Sequence, residues 1–169
     1  VDISADPALA ITDTDDGRAS DALALGPNGV PFYGRTVRSV VMSTNGYLAT
    51  DSAQAGTDFA NTCAVDATDL GRLNVLHDDF VVNPGGGLRR RYFASCPRAS
   101  DGATGVGCTV FQWTSLGRFV QGAAPDGAAE FQAVVYDNGR IVYQYRDADP
   151  LTGGSATISI QDGSSNRGL

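Results

Sequence analysis

Phe131-Gln132-Ala133-Val134-Val135-Tyr136-Asp137-Asn138-Gly139-Arg140-Ile141-Val142-Tyr143-Gln144-Tyr145 is the stretch that decides the fold. Phe131, Ala133 and Val135 alternate with Gln132, Val134 and Tyr136, and that period of two puts the two sets on opposite faces of a strand. Asp137-Asn138-Gly139 then turns the chain into Ile141 to Tyr145. An Asn-Gly step between apolar runs is a strong hairpin signal, because the tight turn that suits the twist of the strands needs positive φ.

The same grammar runs outward from this hairpin. Val37 to Met42 reads as a strand, Ser43-Thr44-Asn45-Gly46 turns it, and Tyr47-Leu48-Ala49 returns. Leu73-Asn74-Val75-Leu76 is a short strand running into His77-Asp78-Asp79-Phe80. After Asn83-Pro84-Gly85-Gly86-Gly87 comes Leu88 to Phe93, with Leu88, Arg90 and Tyr92 on one face and Arg89, Arg91 and Phe93 on the other. Thr109, Phe111 and Trp113 alternate with Val110 and Gln112, and Ala156 to Gln161 forms a last strand. No window carries a 3.6-residue period. The expectation is an all-β protein, an antiparallel, jelly-roll-like β-sandwich of eight to nine short strands with decorated loops. Its domain would span residues 15–169, after an N-terminal extension over 1–14. The irregular pieces are Asp51 to Asp69, Pro97 to Gly107 and Gln121 to Ala129, and such loops are where binding residues tend to sit.

Composition agrees. In 169 residues there is no lysine, and Glu130 is the one glutamate among 19 acids. Lysine and glutamate fill solvated helix faces, whereas aspartate and the 21 glycines favour turns. A net charge of −7 argues against a nucleic-acid partner and an anionic membrane surface, both of which call for basic patches. No apolar run approaches the ~20 residues of a membrane-spanning helix. The chain starts at Val1 with no basic-then-apolar leader before it, which fits equally a mature chain whose targeting peptide has been removed and a chain that was simply trimmed.

Of three cysteines, Cys96 ends one strand and Cys108 begins the next, so an antiparallel hairpin would bring them together as a disulfide, with two buried free thiols as the alternative. Cys63 is then left over. With His77 as the one histidine, a zinc site has too few ligands.

Asp13, Asp15 and Asp16, in Asp13-Thr14-Asp15-Asp16-Gly17, are candidate metal ligands, since a hard cation such as calcium takes several carboxylate and carbonyl oxygens around a tight turn. Ala24 stands where an EF-hand would need its bidentate glutamate, so the motif is not that one. The bland alternative is an acidic turn. Asp78 and Asp79 are a second candidate pair, because adjacent carboxylates repel unless they are hydrogen-bonded or bridged by a cation. His77 and Asp78 point to opposite faces of a strand and make no dyad, and no nucleophile elbow or paired-carboxylate motif stands out. Arg89-Arg90-Arg91 divides between two faces and makes no basic patch. Trp113, Tyr143, Tyr145, Phe131 and Tyr92 could build a sugar-stacking platform, although alternating aromatics in sandwich strands more often pack the core.

Asp15-Asp16-Gly17-Arg18, Val30-Pro31-Phe32-Tyr33-Gly34, Ser43-Thr44-Asn45-Gly46-Tyr47-Leu48, the Asp78-Asp79 pair after a buried strand, Phe131 to Tyr136, Ile141 to Tyr145 and Ser155 to Gln161 follow one another in an order that resembles the nidogen-like β-sandwich modules of secreted bacterial multidomain and surface proteins. The resemblance covers about residues 15 to 169. His77 stands where those modules usually carry an aromatic residue before Asp-Asp. The resemblance implies an exported, non-catalytic module with an adhesive or structural role in a cell-surface or extracellular assembly such as a filament. It also implies a continuation beyond Leu169 holding a further cysteine, a partner for Cys63.

The expected function is therefore that of a secreted structural or interaction module without catalytic residues, with protein partners or copies of itself at the cell surface. Residues 1 to 12, outside the resemblance, are the segment expected to reach a neighbour by strand addition. The alternative is a carbohydrate-binding module that uses calcium and takes glycans.

Overall fold

The computed structural model describes residues 1–50, 58–60, 71–98, 105–148, 155–162 and 167–168, the last pair by backbone alone. Cys63 and most of the Asp51 to Asp69 loop lie outside these. Among the described residues twelve strands run in the order β1 (Leu23–Ala24), β2 (Val30–Phe32), β3 (Arg35–Val37), β4 (Ser39–Met42), β5 (Tyr47–Ala49), β6 (Arg72–His77), β7 (Phe80–Phe93), β8 (Cys108–Arg118), β9 (Asp126–Tyr136), β10 (Ile141–Asp147), β11 (Thr157–Asp162) and β12 (Arg167–Gly168). Two sheets dominate, one ordered β1-β4-β5-β6-β11-β12 and the other β10-β9-β8-β7, with β2-β3 as a separate hairpin. Every pairing is antiparallel. The sandwich expected from periodicity is the fold.

Three boundaries differ from the sequence reading, each for a local reason. The count rises because short pairs carry too little alternation to be read. One of them is the β2-β3 hairpin, which turns at Tyr33 and Gly34 with φ of 45° and 79°. Asn83 to Gly87 does not separate two strands. Within β7 it makes a wide bulge, where the register steps from Val82 opposite Leu116 to Gly87 opposite Thr114. β7 is an edge strand, so Pro84 interrupts no inner ladder. The loop expected over Gln121 to Ala129 is already strand from Asp126, paired to Arg118.

The core lies between the two sheets. Val40, Met42, Leu48, Leu73 and Val75 face Phe111, Trp113, Leu116, Phe131, Ala133 and Val135. Trp113 is fully buried, stacks on Phe131 with ring centroids 5.0 Å apart, and donates its indole N–H to the Ser43 carbonyl at 2.7 Å. From β10, Tyr143 and Tyr145 reach across the sandwich, donating their hydroxyls to Ser159 O at 3.1 Å and Val75 O at 2.6 Å. Burial raises both phenol pKa values, that of Tyr145 to about 12.

A second apolar cluster covers the outer face of the four-stranded sheet. Cys96, Cys108, Val110, Val134 and Tyr136 form it with Ile3 of the N-terminal segment, which is 2% exposed. Cys96 and Cys108 are disulfide-bonded, the first of the two expected alternatives, with Cα atoms 5.2 Å apart, within the span a disulfide bridges.

Candidate functional site

The acidic corner is built by three turns. The 13–17 loop is held by Val82 N–H donating to Thr14 O at 2.8 Å and by a bridge from Asp15 to Val81. Those contacts bring Asp15 against the β6–β7 turn that carries Asp79. Gly17 closes the loop, since a Cβ there would overlap the Asp13 carbonyl. Asp16 takes positive φ, 48°, a conformation that short polar side chains tolerate.

Asn45 ties the loops together. Its Nδ2 donates to Asp16 Oδ1 at 2.8 Å and to Asp58 O at 3.1 Å, and its Oδ1 accepts the Phe80 N–H at 2.9 Å. In sequence this residue reads as a hairpin signal and nothing more. The next residue, Gly46, is required on two counts: φ is 78°, and a Cβ would overlap the Leu76 carbonyl.

Of the five expected metal ligands, Asp15, Asp16 and Asp79 converge, with one carboxylate oxygen from each lying within 4.8 Å of the others. Asp13 and Asp78 stand outside that group. Asp13 Oδ1 accepts the Asp15 N–H, while Asp78 accepts from Asp79 N–H and from the Ser155 hydroxyl at 2.7 Å. Burial, and then the charges of Asp16, Asp15 and Asp78, push the Asp79 carboxyl up to about 6. Asp15 is raised too, by burial first and then by the charges of Asp16 and Asp13. Chemically the corner is an oxygen cluster of the kind a hard cation accepts, with carbonyls or waters needed to complete its coordination.

His77 is buried beside this corner in a structural setting. Its ring sits edge-on to Tyr47 at 4.9 Å, and Nε2 lies 3.2 Å from Asp58 O. Burial lowers its pKa, the direction that keeps an imidazole neutral in an apolar site. Arg72 lies over the Tyr47 ring and pairs with Asp58.

The five aromatics named from sequence do not share one exposed face, although Tyr145 is 40% exposed. Trp113 and Phe131 are core, and the Tyr143 and Tyr145 hydroxyls join the two sheets. Tyr92 donates its hydroxyl to Asp137 at 2.9 Å. The arginine run divides as expected: Arg90 faces the β1 end and donates to Ala24 O, whereas Arg89 and Arg91 face outward and bind Asp6, through its carbonyl at 2.9 Å and its carboxylate at 3.1 Å.

Those Asp6 contacts belong to a second polar site that single-strand periodicity could not reveal. Register places Arg89, Gln112, Gln132 and Gln144 in one row across β7, β8, β9 and β10, on the outer face. The N-terminal segment lies across this row. Val1 N donates to Gln132 Oε1 at 3.3 Å, Ile3 N–H donates to Gln112 Oε1 at 2.9 Å, and Gln112 Nε2 donates to Asp2 Oδ1 at 3.2 Å. Hydrogen bonds from Ser4 and then Gln112 hold the Asp2 carboxyl down at about 2. A cleft of about 320 Å³ stays open beside Val1, lined by Gln144, Glu130 and Arg146 among others.

Among the described residues no helix is long and apolar enough to cross a membrane. In comparison with known proteins, the family model described as NIDO related matches residues 2–169. No curated protein and no solved structure gives a match. That family and the Cys96–Cys108 disulfide are compatible with an extracellular location.

Proposed function

The chain belongs to the NIDO-related family, and from that premise we propose that it is a secreted, non-catalytic structural or interaction module, a subunit of a cell-surface or extracellular assembly. The observation that carries this reading is the match along residues 2–169 of an all-β scaffold closed by a disulfide. Disulfides persist where the surroundings are oxidising, and a sandwich of paired strands is a rigid support for contacts made by its faces and loops. The chemistry of the side chains points the same way. His77 is committed to Tyr47 and the Asp58 carbonyl, and the two β10 tyrosines spend their hydroxyls on the opposite sheet.

The carbohydrate-binding alternative has less support, because Trp113 and Phe131 lie in the core and leave Tyr145, 40% exposed, without them. A membrane-impermeant cross-linker applied to intact cells of the natural source tests the proposal. The chain should be captured with protein neighbours or copies of itself. Labelling only after lysis would refute an extracellular role, and capture on glycan beads in a chelator-sensitive way would favour the sugar-binding reading.

A further inference from the structure

We propose that the outer face of the four-stranded sheet is a segment-binding groove whose partner is the N-terminal segment of a second copy of this chain. The proposal rests on the reading of the protein as an interaction module and names the contact through which it would associate.

The recognition chemistry is displayed by the chain's own residues 1–6. The row Arg89, Gln112 and Gln132 meets main-chain groups: the Asp6 carbonyl, the Ile3 N–H and the Val1 nitrogen. Contacts to backbone supply affinity without demanding a particular side chain. Sequence preference comes from two places. Ile3 enters the apolar patch of Cys96, Cys108, Val110, Val134 and Tyr136, and Asp6 meets Arg91 at 3.1 Å. A segment that turns after a β-branched anchor, with the Asp6 N–H donating to the Ile3 carbonyl at 3.0 Å and the acid three residues on, is thus what the groove selects, and this chain carries one.

Two features make the segment separable from the body. Pro7 follows Asp6, and from Leu9 onward the chain is pinned elsewhere, with Leu9 N–H donating to Leu88 O at 2.8 Å and Ile11 bridged to Ala19. Residues 1–6 would swing about that point, a reach of about 20 Å for extended chain. The groove of a second copy offers the segment the same partners it leaves on its own body, so exchange needs no new surface and becomes favoured as concentration rises. The row is also not exhausted by what it holds. Gln144 Oε1 and Arg89 Nη1, at its two ends, are buried without a hydrogen-bond partner among the described residues, and the cleft of about 320 Å³ lies at the Gln144 end.

The test uses the full chain and the synthetic peptide Val-Asp-Ile-Ser-Ala-Asp-Pro. Ile3→Asp empties the groove without touching it, so this variant should bind the peptide. The natural chain, its groove filled, should bind at least tenfold more weakly, and a peptide with Asp in place of Ile should not bind. Arg89→Ala in the Ile3→Asp background should weaken binding as a second, groove-side check. By sedimentation the natural chain should self-associate with rising concentration, and Ile3→Asp should remain monomeric. An Ile3→Asp chain that ignores the peptide overturns the groove. Peptide binding together with a natural chain that stays monomeric at all concentrations overturns the exchange, with the segment serving its own body only. Either failure leaves the extracellular reading standing, since cross-linking on intact cells decides that separately.

Discussion

At the scale of single residues, the acidic corner sets opposing demands on pH. Asp79 has a folded pKa of about 6 against 3.8 unfolded, so the folded state binds the extra proton. The stability this costs at neutral pH is recovered as pH falls through 6 towards 3.8, on the order of 1 kcal/mol once solvent screening of a partly exposed group is allowed for. His77 works the other way: its pKa is lowered by burial, so acidification below the unfolded value near 6.5 favours the unfolded chain. Asp79→Asn should therefore stabilise the protein at pH 7.5 in chelator and lose that advantage near pH 4.5, measured by urea midpoints. The opposite sign at pH 7.5 would mean that the carboxylate is needed for a bond. The convergence of Asp15, Asp16 and Asp79 also predicts that millimolar calcium raises the melting temperature of the natural chain but not of Asp79→Asn. Equal melting curves with calcium and chelator would leave the corner as a turn held by Asn45.

Among structural elements, the disulfide and the cross-sandwich tyrosines give separable contributions. Cys96 and Cys108 are 12 residues apart, so the closed loop restricts the unfolded chain by about 3 kcal/mol. Cys96→Ser with Cys108→Ser should lower unfolding free energy by about that amount in denaturant titrations, with little change in far-ultraviolet circular dichroism. Tyr143→Phe and Tyr145→Phe should each cost about 1 kcal/mol by removing one hydrogen bond between the sheets, more if the carbonyl is left dry. Much of this level was legible in sequence. The hairpin from Phe131 to Tyr145, the faces of Leu88 to Phe93 and the Cys96–Cys108 pairing all follow from period and turn chemistry. The β7 bulge was not, because Asn-Pro-Gly-Gly-Gly has the composition of a turn. Only its place at a sheet edge, a property of the whole topology, lets the strand run through it.

Over the whole molecule, what the sequence conceals is register and the course of irregular chain. Gln112, Gln132 and Gln144 each read as an outward polar residue on its own strand. That they form one row with Arg89 depends on three independent pairings. Likewise, residues 1–14 carry no strand pattern, so the role of Ile3 as the anchor on a sheet far along the chain has no local signal. Three of the five acids named from sequence do meet, since turn composition marks acidic loops, but it does not say which loops touch. With Ile3 buried against Val110 and Val134, Ile3→Asp should cost about 3 kcal/mol, from the apolar burial lost when the segment leaves the patch.

The outer face of the four-stranded sheet holds residues 1–6 by their backbone, and hydrogen exchange at the Ile3 amide tests that most directly. In the dilute natural chain this amide, donated to the buried Gln112 side chain, should be strongly protected, and Gln112→Ala should release it while the β8–β9 ladder stays protected. An Ile3 amide exchanging at the rate of a free peptide in the natural chain would contradict it.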